Sequence, residues 1–96
     1  MTKHADITWE ENTFVLSGEL TFLNVMSVYE KSLPLFASVP SIPLDCANLQ
    51  SSDSSGLALI LEWKKWALQY GKSFQVSHFP ENLLSIAKAA GLEELL

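Results

Sequence analysis

Leu44-Asp45, the polar run Cys46-Ala47-Asn48-Leu49-Gln50-Ser51-Ser52 and the turn Asp53-Ser54-Ser55-Gly56-Leu57 decide how this chain is read. A short apolar run, Ile42-Pro43-Leu44-Asp45, punctuated by Pro40 and Pro43, reads as a buried strand with an irregular start. Cys46 to Ser52 then reads as a polar loop. Asp53, Ser54 and Ser55 are residues that accept hydrogen bonds from the free amides of a first helical turn, so a helix is expected from Leu57 to Tyr70, closed by Gly71.

Working outward, Ile7–Glu10 and Thr13–Ser17 are β-prone runs separated by Glu11-Asn12, the spacing of a tight hairpin without the favoured Asn-Gly pair. After Gly18-Glu19-Leu20, Thr21 is a candidate cap. Leu23, Met26, Tyr29, Leu33 and Phe36 recur near helical spacing up to about Ser38, with Pro34 expected to bend or end that helix. Beyond Gly71, Ser73–Ser77 reads as a strand, Pro80 opens a helix over Glu81–Ala90 stopped by Gly91, and Leu92–Leu96 reads as one more partly helical turn. The order is strand, strand, helix, strand, helix, strand, helix. It predicts an α/β fold: one small domain, 1–96, with an antiparallel N-terminal hairpin, later strands parallel through right-handed crossovers, and helices mostly on one face. Functional loops of such sheets gather at the carboxyl ends of parallel strands, where the Asp53–Gly56 turn falls.

Composition narrows the function. The chain has 96 residues, 48% hydrophobic and 18% charged, enough apolar matter for a core. Its net charge is -5, from eleven Asp and Glu against six Lys, with no Arg. An acidic surface without the bidentate guanidinium argues against nucleic-acid and anionic-lipid binding. The start of the chain lacks the apolar run of a secretory signal, one cysteine allows no internal disulfide, and the longest strictly apolar run, Leu57–Leu61, is far too short to cross a bilayer. A cytoplasmic protein is expected, without direct membrane insertion.

Catalytic chemistry finds little support. His4 and His78 lie far from any Gly-x-Ser-x-Gly elbow, and Cys46 shares no metal-ligand spacing with them. The pairs Glu10-Glu11 and Glu93-Glu94 are adjacent, so they read as solvated charge. The turn Ser51–Gly56 has one glycine and no lysine, unlike a P-loop. No enzyme, metal or cofactor is expected. The helix Leu57–Tyr70 is apolar over more than half its circumference. Leu57, Ile60, Leu61 and Leu68 form a candidate core stripe, leaving Leu59, Trp63, Trp66 and Tyr70 on an adjoining aromatic face. Trp and Tyr bury about 150–250 Å² each, so that face approaches the roughly 800 Å² each partner contributes to a specific complex. Either the C-terminal helix covers it, through Leu83, Leu84, Ile86 and Leu92, or a partner does.

Taken together, Leu16-Ser17-Gly18-Glu19-Leu20, Leu44-Asp45, Asp53-Ser54-Ser55-Gly56-Leu57, the apolar helix ending at Gly71, the next strand and Pro80 resemble a STAS domain over essentially the whole chain. In the anti-sigma-factor antagonists of that family the serine before the glycine is phosphorylated by a partner kinase, which makes Ser55 a candidate phospho-acceptor. A second branch is the small STAS subunit of Mla-type phospholipid-transport ABC complexes, which sits on the ATPase subunit. Ser17-Gly18-Glu19-Leu20 and Gly56-Leu57-Ala58-Leu59 are similar to that branch, whose usual turn is Asp-Thr-Gly-Gly, so Ser54 stands at the threonine and Ser55 replaces a glycine. The resemblance implies a non-enzymatic subunit, peripheral to the inner membrane through its complex, that docks on an ABC ATPase. The residues expected to carry the docking are Asp53, Ser54, Ser55, Gly56, Leu59, Trp63 and Trp66. The alternative partner is an anti-sigma factor with kinase activity.

Overall fold

The computed structural model describes residues 3–96. Strands β1 (Ala5–Glu10) and β2 (Thr13–Leu20) form the expected antiparallel hairpin, with Glu10 opposite Thr13 and only Glu11-Asn12 between them. Both turn residues take positive φ, 50° and 66°, as a two-residue turn that follows the strands' twist requires. Helix α1 (Val25–Ala37) leads to β3 (Ser41–Asp45), which lies parallel to β2. After β4 (Leu49–Ser52), α2 (Ser54–Gln69) leads to β5 (Ser73–Ser77), parallel to β3, and α3 (Glu81–Ala89) and a 3-10 turn (Glu93–Leu95) follow. The sheet order is β1-β2-β3-β5, with β4 also paired to β2.

Register puts one sheet face in the core. Ile7 lies opposite Leu16, Phe14 opposite Leu44, Ile42 opposite Phe74 and Leu44 opposite Val76. Ile7, Phe14, Leu16, Ile42 and Leu44 are buried, whereas their neighbours Thr8, Val15, Pro43 and Gln75 are not. That period-two alternation gives a half-buried sheet its single apolar face. Val28 and Phe36 from α1, Leu57, Ile60, Trp63 and Ala67 from α2, and Leu83 and Ala87 from α3 close one continuous core over it.

Three sequence expectations are corrected. The run Cys46–Ser52 is not all loop, because Leu49–Ser52 pairs in parallel with Gly18, Glu19 and Leu20 past an irregularity at Gly18/Glu19. Gln and Ser have little strand propensity, but within β2 only Phe14 and Val15 pair with β3, and the upper half of this eight-residue strand offers an open ladder that β4 fills. Gly18 takes φ +88° at this irregularity, and a Cβ there would stand 2.2 Å from the His4 carbonyl oxygen, so only glycine fits. Second, Pro34 does not end α1, which runs three residues further and delivers Phe36 into the core. Third, the α1 stripe is Val28, Ser32 and Phe36, while Leu23 and Met26 face solvent.

The aromatic helix is likewise rotated from expectation. Its buried residues are Gly56, Leu57, Leu59, Ile60, Trp63 and Ala67, an arc centred near Ile60 and Ala67. Leu68 is 74% exposed and Leu61 only half-buried. Trp63 is fully buried, its indole Nε1 donating to Ser32 Oγ at 2.8 Å, while Ser32 in turn donates to the Tyr29 carbonyl at 2.6 Å. The ring also meets Phe36 edge-on at 5.5 Å. Trp63 is therefore core, covered by α1, and cannot be the exposed anchor that the aromatic face suggested.

Candidate functional site

The carboxyl ends of β2 and β4 and the N-termini of α1 and α2 meet at one end of the molecule, the upper end. Asp53 is the N-cap of α2: its Oδ1 accepts from the Ser55 amide at 2.9 Å and from the Ser55 hydroxyl, and its Oδ2 accepts from the Phe22 amide at 3.2 Å. The Asp53 amide donates to the Leu20 carbonyl at 3.2 Å, so one residue joins the end of β2, the following loop and the start of α2. The Ser55 hydroxyl, then the backbone amides of Ser55 and Phe22, hold the Asp53 carboxyl below its ordinary range. Asn82 Nδ2 donates to the Ser52 carbonyl at 2.9 Å and brings the head of α3 to the same end.

Ser54 is exposed, and Ser55 is half-buried with its hydroxyl turned to Asp53. Gly56 is buried because α2 closes onto the end of β4. A Cβ there would meet Ser52 Oγ at 1.9 Å, Ser52 Cβ at 3.0 Å and Leu83 Cδ1 at 3.4 Å. The turn residues expected to act together are thus brought together, in different roles. Ser54 presents its hydroxyl, Ser55 and Asp53 bond each other, and Gly56 permits close packing.

Below the turn, Val25, Met26, Tyr29, Ser55, Ala58, Leu59 and Glu62 line a mostly apolar groove of about 240 Å³ between α1 and α2. Leu59 forms part of its floor and is 4% exposed, so it shapes the groove but presents almost no surface of its own. Trp66 does not belong here. It lies eleven residues beyond Ser55, about 16 Å along the helix at 1.5 Å per residue, tilted against Tyr70 at 4.7 Å and against Phe36 at 6.2 Å.

Sequence reasoning missed the residues that dominate this end. Phe22 is 73% exposed, Leu23 81% and Met26 59%; Met26 lines the groove, and the Phe22 amide is bonded to Asp53 of the turn. The signal was available: two large apolar residues stand between the turn-forming Thr21 and Asn24, outside any strand or helix. Counting Leu23 and Met26 into a helical core stripe concealed it. Elsewhere, burial first and the Asp45 charge second push the Cys46 thiol up to about 12, which keeps it an unreactive neutral group. His78 pairs with Asp45 at 2.9 Å on the exposed surface, apart from Cys46's buried side chain. No helix among the described residues is long and apolar enough to cross a membrane.

What the arrangement offers chemically is a surface: an exposed hydroxyl at a helix N-terminus, a shallow apolar groove and three exposed apolar side chains. None of the curated proteins compared with the chain matches it. The family model described as Mlab, STAS domain matches residues 4–96, nearly the whole chain, and with the antiparallel hairpin, the later parallel strands and the three helices it establishes that this protein belongs to that STAS family.

Proposed function

We propose that this protein is a non-catalytic accessory subunit of a bacterial phospholipid-transport ABC complex, acting in the cytoplasm by docking on the ATPase subunit through its upper end. The family supports an accessory binding module of this type. The observation that carries the docking reading is that exposed Phe22, Leu23 and Met26 stand at the end of the molecule that holds exposed Ser54 and the α1–α2 groove, with Met26 lining the groove and the Phe22 amide bonded to Asp53. Contiguous exposed apolar side chains beside a few polar groups are how protein interfaces are built, and large apolar anchors at the centre carry most of the binding energy. Asp53, itself exposed, and half-buried Ser55 hold the turn by bonding each other, and Leu59 shapes the groove.

Purification of the tagged protein from its native host tests the reading: membrane-associated transporter subunits should copurify, and Ser54→Arg should abolish their recovery while Ser55→Gly is tolerated. Unchanged affinity in Ser54→Arg, Ser55→Gly and Ser55→Asp together would reject the turn as the contact. The second reading, an antagonist switched by phosphorylation, rests on Ser55 standing immediately before Gly56. It requires recovery of a soluble kinase instead, with phosphate incorporation lost in Ser55→Ala. Against it stands the Asp53 carboxylate that already accepts from the Ser55 hydroxyl, since a phosphate on that oxygen would set a dianion against an anion.

A further inference from the structure

We propose that Asp53 is a positioning residue for the docking surface, locking the loop Thr21–Asn24 to the head of α2 so that Phe22 and Leu23 are presented with the Ser54 hydroxyl as one rigid face; this rests on the docking reading above.

The loop's hydrogen bonding carries the argument. Every backbone amide in it has an acceptor: Thr21 donates to Asn24 Oδ1 at 2.9 Å, Phe22 to Asp53 Oδ2 at 3.2 Å, Leu23 to Thr21 Oγ1 at 3.2 Å and Asn24 to the Thr21 carbonyl at 3.1 Å. Asn24 Nδ2 returns to the Glu19 carbonyl at 2.9 Å, which ties the loop to the end of β2. Exposed loops ordinarily leave such amides to water, and a loop whose own side chains close its backbone has little conformational freedom left. Yet its two largest side chains point outward. Burial therefore does not fix this loop, and polar bonds do.

Of these bonds, the one from Phe22 to Asp53 crosses to α2. The other oxygen of that carboxylate is occupied by the Ser55 amide and hydroxyl. A carboxylate offers two oxygens and accepts on both, whereas serine, an equally good helix cap, offers a single hydroxyl close to its own backbone. Capping α2 alone does not demand Asp at this position, but bridging to Phe22 does. A partner gains from a preformed surface because ordering it costs nothing at the moment of binding.

Asp53→Ser tests this by keeping the cap and removing the bridge. Amide hydrogen exchange at Phe22 should rise about tenfold or more, while α2 and the sheet keep their protection. Affinity for the ATPase subunit should fall by a similar factor. If Asp53 acts through the loop, the same substitution in a Phe22→Ala/Leu23→Ala background should cost little further affinity, the non-additivity expected of coupled residues. Asp53→Asn, which keeps one acceptor oxygen and turns a donor toward the Phe22 amide, gives the same readouts should the serine variant fold poorly. Unchanged exchange at Phe22, undiminished affinity, or full additivity with the loop substitutions would each overturn the proposal. If the wild-type protein binds no ATPase subunit, the functional reading fails, and the exchange experiment still decides the bridge.

Discussion

The two ends of the α1–α2 pair both carry large apolar side chains and hold them differently. At the lower end, Trp9 meets Phe14 at 4.6 Å, Phe14 meets Phe36 at 4.8 Å, and Phe36 meets both Trp63 and Trp66, so aromatic rings pack in a chain even where Trp9 and Tyr70 reach solvent. At the upper end, Phe22, Leu23 and Met26 stand in solvent above a loop closed by polar bonds. The difference teaches that aromatic density in a sequence locates apolar area without saying which side of the surface it lies on. Here Trp63 lies in the core while Trp9 stays 46% exposed, and the interface candidate is a loop residue pair that periodicity alone hides.

The largest effect that could break this contrast lies at Trp63. Trp63→Ala should lower unfolding free energy by about 3–5 kcal/mol, the cost of a large cavity in a packed core, and urea denaturation measures it. Trp63→Phe should cost less, because it retains the ring and gives up the bond to Ser32. A Trp63→Ala protein of wild-type stability would return the residue to the surface.

At the other end the expected outcome inverts. Phe22→Ala or Leu23→Ala should leave stability within about 0.5 kcal/mol, as for exposed positions, yet weaken partner binding by about 2 kcal/mol if the side chain is an anchor. Calorimetric titration against the purified ATPase subunit measures the second quantity. Trp66→Ala, at the wrong end for docking, should leave that affinity unchanged.

A smaller effect sharpens the contrast through acid. Asp53, bonded first by the Ser55 hydroxyl, has a folded-state pKa below the ordinary aspartate value of 3.8, and so do Asp45, through the Ala47 amide and then His78, and Asp6, chiefly through Lys31. A depressed carboxyl pKa contributes stability that is fully present above the unfolded value and is lost as pH falls through the folded one. The urea midpoint contribution from these three groups should hold steady from about pH 7 to about pH 5 and decline below 3.8, and Asp53→Ser should remove part of the decline. The smallest effect is at the hairpin. Glu11→Asn places a residue tolerant of positive φ where φ is 50°, and should raise stability by a few tenths to about 1 kcal/mol in thermal unfolding.

Local chemistry made much of this molecule legible. The two-residue separation at Glu11-Asn12, the alternation through Phe14 and Leu16, the capping turn at Asp53–Gly56, and Gly71 and Gly91 after helices set the hairpin, the order of the main elements and the place of the candidate site. Those features depend on φ preferences, side-chain period and cap hydrogen bonds between near neighbours, which a sequence states directly. What lies far apart in the chain was decided by tertiary structure. Leu49–Ser52 became a strand because β2 had an unpaired ladder to offer, against its own propensity. The apolar stripe of α2 turned toward Trp63 and Ala67 rather than Leu61 and Leu68 because Ser32 and Phe36 of α1 fit there, and a helix apolar over most of its circumference does not choose its own buried side. Phe22 and Leu23 face outward because Asn24 and, thirty-one residues from Phe22, Asp53 hold their backbone, a bond that exists only once β2 and α2 have been brought to the same end of the fold.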